Sequence, residues 1–136
     1  MKKSLIIAVA VTIIILALFA VTPAKSEAQS EFAGRWTQAG VQGVYLVISS
    51  VSGNYTAAYI MGQTICRFSD VNISGNTIYM KGWYVSGEGF TTDLVFNLTL
   101  SDDRITLTGT KWSDTHWTAR GVPLHAADTD SVIFMR

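Results

Sequence analysis

From Val44 onward the chain alternates apolar and polar residues with a period of two. The longest clean run is Asp93 to Ser101. Leu94, Phe96, Leu98 and Leu100 fall on one side, and Asp93, Asn97, Thr99 and Ser101 on the other. Side chains of a strand point to opposite faces in turn, so such a run is a strand with one buried and one wet face. Val44, Leu46 and Ile48 oppose Tyr45, Val47 and Ser49 in the same way, and Ile105 and Leu107 oppose Thr106, Thr108 and Thr110. Almost nothing after Gln29 has helical periodicity. The chain there must fold as antiparallel sheet.

Turn signals divide the sheet. Val51-Ser-Gly-Asn54 and Ile73-Ser-Gly-Asn76 are near copies, and Ser101-Asp-Asp-Arg104 is a third signal. Gly-Asn between alternating runs predicts a two-residue hairpin with positive φ at the glycine. The spacing predicts strands at 34–38, 43–50, 55–62, 65–73, 77–85, 91–101, 104–111 and 131–136. Eight strands joined mostly by short turns make an up-and-down meander. A meander of eight closes into a barrel and removes its own edges; a two-sheet β-sandwich is the alternative. The stretch Trp112–Asp130 lacks alternation and contains Pro123, so it reads as a long excursion before the last strand.

The first residues read as a targeting element. Lys2 and Lys3 precede an apolar run over Leu5–Val21, Pro23 breaks it, and Ser26-Glu27-Ala28 offers small residues for cleavage. Residues 1–28 are expected to be a signal peptide or a retained N-terminal membrane anchor, and 29–136 an exported domain, secreted, periplasmic or anchored through 5–21. Removing Lys2, Lys3, Lys25 and Glu27 from ten cations and ten acids leaves a formal charge of about −2. With no basic surplus, nucleic acid is excluded as the expected partner. The single cysteine, Cys66, has no partner within the chain, so stability must come from a closed core. Cys66 itself is expected as a small packed hydrophobe.

Gly34-Arg-Trp36 opens the first strand as a G-x-W, an eight-strand meander follows, and the chain reads Phe134-Met-Arg136 in its last strand. This pattern resembles the calycin group of barrels: lipocalins, avidins and fatty-acid-binding proteins. The resemblance implies that Trp36 closes one barrel end, that Arg136 (or Arg120) lies across it, and that Gly34 belongs to the same plug. It also implies a small-ligand carrier. No helix precedes the last strand as in lipocalins, no biotin-site series like that of avidins is present, and no helical lid of the fatty-acid-binding type is visible.

The residues themselves leave the interior open to two readings. Leu46, Ile48, Ile60, Ile78, Met80, Leu94, Phe96, Leu98, Ile105 and Leu107 line either a filled core or a cavity for a small apolar ligand. Trp83, Tyr84, Phe90, Trp112 and Trp117 form a second set, expected at the barrel mouth, where exposed aromatics would engage an envelope protein partner, as in an inhibitor. His116, His125, Asp114, Asp128 and Asp130 gather in the excursion without any recognised ligand spacing, so neither metal nor cofactor is expected. No nucleophile elbow or zinc-protease signature occurs, and Asp102-Asp103 belong to a turn. The expected function is therefore non-enzymatic: an exported lipocalin-like domain binding a small apolar ligand, with protein–protein interaction as the alternative. Oligomeric state is not legible.

Overall fold

The computed structural model describes residues 31–118, 123 and 126–136. Residues 1–28, expected as a leader, and Arg120 and His125 lie outside the described residues. Eight strands follow in chain order: β1 (Gly34–Gln38), β2 (Val44–Val51), β3 (Asn54–Met61), β4 (Thr64–Ser74), β5 (Thr77–Gly87), β6 (Phe90–Leu100), β7 (Thr106–Trp117) and β8 (Asp128–Met135). Each pairs antiparallel with the next, and β1 closes on β8. The expected up-and-down barrel is therefore what forms. Closure leaves no open sheet edge beyond the splits described below.

The turns define two ends. The start of β1, the end of β8 and the β2–β3, β4–β5 and β6–β7 turns make one end, the floor. The other turns and the β7–β8 connection make the mouth. The two near-copy turns differ by one residue in register. Val51 pairs with Asn54, so Ser52 and Gly53 form the first turn, with φ of 52° and 80°. Positive φ at both positions is the type I′ pattern. In the second, Ser74 pairs with Thr77 and the turn is Gly75-Asn76. A one-residue slip exchanges the faces of a strand. Val51 accordingly points out and is 69% exposed, whereas its counterpart Ile73 packs against the core.

The inward faces meet at the barrel centre. Trp36, Leu46, Ile48, Tyr59, Cys66, Ile78, Met80, Phe96, Leu98, Leu107 and Phe134 are all buried. Phe96 is the hub of edge-to-face ring contacts, with centroids 5.0 Å from Tyr59, 5.6 Å from Phe68 and 5.9 Å from Phe134. Such edge-to-face contacts are favoured by the ring quadrupole.

Three sequence expectations are corrected. Ile105 is in the β6–β7 turn and 52% exposed, because Arg104 takes a positive φ of 63° and the strand starts only at Thr106. Ile60 faces outward between Tyr45 and Ile65, because its neighbour Tyr59 takes the inward position. The excursion contracts: β7 runs on to Trp117 and β8 starts at Asp128. The alternation from Leu107 carries Lys111, Ser113 and Thr115 inward, and that from Val132 carries Asp130 and Asp128 inward. The inner wall near the mouth is polar there, so no apolar signal marks those strand residues.

Candidate functional site

The floor is closed by a stack. Trp36 is fully buried, and its indole N–H donates to the Phe32 carbonyl at 2.9 Å. The Arg136 guanidinium lies over the indole, 4.4 Å from the ring centroid. Its Nε donates to the Arg104 carbonyl at 2.7 Å, and its Nη1 donates to the Ala33 carbonyl at 3.5 Å. Gly34 adopts φ 138° beside this stack, a backbone conformation that disfavours a side chain. A planar cation that covers a ring while bonding carbonyls is a structural seal. Arg35, on the outer face, stacks on Tyr45 at 3.7 Å.

Above the floor, eight of the ten candidate lining residues do face inward: Leu46, Ile48, Ile78, Met80, Leu94, Phe96, Leu98 and Leu107. Their exposure is 2% or less, so neighbouring atoms cover them almost completely and no sizeable void touches them. The centre at this level is packed side chain against side chain.

Toward the mouth the interior changes character. Lys111 and Asp130 form an ion pair at 3.4 Å, and the Thr92 and Thr115 hydroxyls share a hydrogen bond of 2.8 Å. Tyr59 donates to the Gln38 side-chain carbonyl at 2.6 Å. Burial pushes the Tyr59 phenol up to about 12, with the nearby Tyr84 adding to the rise. Burial alone pushes the Cys66 thiol up to about 11, so it stays a thiol at neutral pH. Among the described residues no group of three or more His, Cys, Asp or Glu side chains gathers as a metal site. His116 Nδ1 lies 3.8 Å from Asp93 on the outer wall.

The five aromatic candidates separate. Phe90 and Trp117 stack at the rim, with centroids 4.1 Å apart, above the β5–β6 turn. Tyr84 points inward and is half-buried, packed against the core. Trp83 stands on the outer wall, 58% exposed. Trp112 is half-buried on the outer wall farther from the rim, between Val95 and Thr129.

Trp83 borders a groove of the wall. The β4–β5 ladder runs from Ser74↔Thr77 only as far as Arg67↔Trp83. Beyond it, Thr64–Cys66 pair with β3 and Tyr84–Val85 pair with β6, so β4 and β5 part company toward the mouth. A groove of about 580 Å³ occupies the split, lined by Gln63, Thr64, Ile65, Arg67, Trp83, Tyr84 and Val85. At the vertex Gly82 sits opposite Phe68. A Cβ on Gly82 would come within 2.7 Å of the Arg67 carbonyl oxygen, so only glycine lets the strands cross this closely. A register shift between Phe68 and Asp70 follows directly, as β-bulges do where a strand must bend. A smaller groove of about 290 Å³ lies in the opposite split, where β3 and β4 diverge toward the floor, and Arg67 lines it too.

The outer wall beside the β4–β5 groove is apolar across strands. Tyr45, Ile60 and Ile65 are in register on β2, β3 and β4, and Val85 continues the band across the split, 64% exposed. Sequence reasoning found Trp83 and Tyr84 but missed Ile65, Arg67 and Val85. The signal for Ile65 and Val85 was apolar residues on both faces of one strand, Ile65 beside Cys66 and Val85 beside Tyr84; Arg67 had none. No protein-family model, curated protein or solved structure matches this chain.

Proposed function

We propose that this barrel is a non-enzymatic, extracytoplasmic binding module of calycin-like type that engages a protein partner through its mouth-side outer wall. The calycin-like kinship is supported by the G-x-W of β1, the eight-strand meander and the stack of Arg136 on Trp36. Export is supported by the charged and apolar leader over 1–28.

The observation that carries the reading is the exposure of Ile65 (50%), Trp83 (58%) and Val85 side by side around one groove. Large apolar side chains clustered at a groove mark a contact surface rather than scattered surface apolarity. Carriage of a small apolar ligand, the other expectation, is disfavoured by the close packing around Phe96.

A photo-reactive side chain placed at Trp83 tests the reading in intact cells, with Asn97, exposed on β6 nearer the floor, as the control. A specific protein adduct at Trp83, absent at Asn97 and lost on Val85→Asp, is the expected result. No adduct at Trp83, or equal adducts at both positions, overturns it.

A further inference from the structure

We propose that the split between β4 and β5 receives an extended polypeptide, added as a strand, whose carboxylate meets Arg67. The inference rests on the partner-binding reading and gives that partner its chemistry. Three features of the split point to it independently.

The first is hydrogen bonding. In a closed barrel every strand has a neighbour on each side, but Thr64–Cys66 are paired only toward β3 and Tyr84–Val85 only toward β6. Peptide N–H and C=O groups alternate sides along a strand. Each free flank therefore presents backbone donors and acceptors to the groove. Such flanks are templates for strand addition, in which main-chain bonds supply affinity and side-chain contacts supply specificity.

The second is the pattern of the walls. Ile65 and Trp83 project on the outer side of the split, while Tyr84 borders it from the inner side. A strand laid between them would direct its own alternate side chains to the same two sides, apolar outward against Ile65 and Trp83. A compact, non-extended ligand has no use for this two-sided arrangement.

The third is charge. Arg67 stands at the closed end, on the last rung of the ladder opposite Trp83, and is exposed. Among the described residues no carboxylate forms an ion pair with it. Asp70, the nearest acid along β4, is hydrogen-bonded by the Asn72 side-chain amide instead, at 2.6 Å. A guanidinium presents a planar fork that matches a carboxylate, so an acidic side chain or a chain-terminal carboxylate is the complement of this end of the groove.

The test uses isotope-labelled protein purified from cells expressing the full chain. The probe is an N-acetylated pentapeptide of alternating valine and threonine, as the free acid and as the C-terminal amide. Titration should shift the backbone amide resonances of Thr64–Cys66 and of Tyr84 and Val85 saturably, leaving Asn97 unmoved. The free acid should bind about five-fold more tightly than the amide, and Arg67→Gln should erase that difference while the spectrum stays folded. Equal binding of acid and amide, or shifts elsewhere only, overturns the proposal. Shifts in the groove with indole but with neither peptide also overturn it, assigning the site to a small apolar molecule. The Trp83 adduct separates the two levels. If it persists in Arg67→Gln and the peptides fail, strand addition is wrong and partner binding stands; if it is absent as well, both fail.

Discussion

Cys66 and Tyr59 face each other across the β3–β4 ladder, both buried and both ionisable only at a cost. The thiol moves from 9.0 to about 11 and the phenol from 10.0 to about 12 on folding. Each folded state therefore holds its proton at a pH where the unfolded chain has released it. The contribution is fully present below the unfolded pKa and is lost as pH rises toward the folded one. Stability is expected to be level to about pH 8.5, then to fall between pH 9 and 12 by on the order of 2–3 kcal/mol per group. Urea unfolding across this range reads the slope. In Cys66→Ala the fall should start about one pH unit later, near the phenol's own range. Superimposable pH profiles for the two proteins would show that the thiol is not held neutral by the fold.

At the scale of a strand, Gly82 decides how β4 and β5 meet. Added Cβ atoms usually stabilise a chain slightly by restricting the unfolded state. Here the new atom would lie 2.7 Å from the Arg67 carbonyl oxygen and 3.0 Å from the Phe68 Cα, both backbone and unable to step aside alone. Gly82→Ala should cost about 1–3 kcal/mol. Gly87→Ala is the control, because its Cβ would meet only the Phe90 ring at 3.5 Å, an ordinary contact. Thermal melts that rank the two variants equally would remove the pinch from the account of the groove. The strands were readable from sequence wherever one face was apolar and the other hydroxyl-rich, as in β6. They were not readable where the inner wall turns polar. Lys111, Ser113 and Thr115 made the mouth half of β7 look like loop, although its ladder with β6 continues unbroken to Trp117. Ile60 and Ile105 misled for the opposite reason: apolarity alone does not choose a face when a larger neighbour such as Tyr59 competes for the inside, or when a turn absorbs the residue. The candidate groove was the least legible part. It depends on which rungs of two ladders are missing, a register property that leaves no compositional trace.

Across the whole barrel the ring of ladders is uneven, and its thinnest joint is the one that closes it. β1 and β8 share only the rungs Thr37↔Met135 and Gln38↔Phe134, continued by the Ala39 amide donating to the Ile133 carbonyl at 2.8 Å. β5 and β6, by contrast, pair from Thr77↔Thr99 to Gly87↔Phe90. Arg136 reinforces that joint from the floor. It reaches from the end of β8 over Trp36 on β1 and bonds carbonyls of Arg104 and Ala33, so it ties the two strands to the β6–β7 turn. A partly exposed cation–ring contact is worth about 0.5–1 kcal/mol, and a hydrogen bond about 1 kcal/mol. If the joint opens locally without global unfolding, losing both should raise its opening equilibrium about ten- to thirty-fold. Hydrogen exchange on Arg136→Ala reads this directly. The Ala39 amide should exchange faster by that factor, while the Met80 amide, in the β5–β6 ladder on the far wall, keeps its rate. Equal acceleration at both amides would mean that Arg136 stabilises the barrel globally, and no change at Ala39 would mean that the seal over Trp36 does not hold the ring closed.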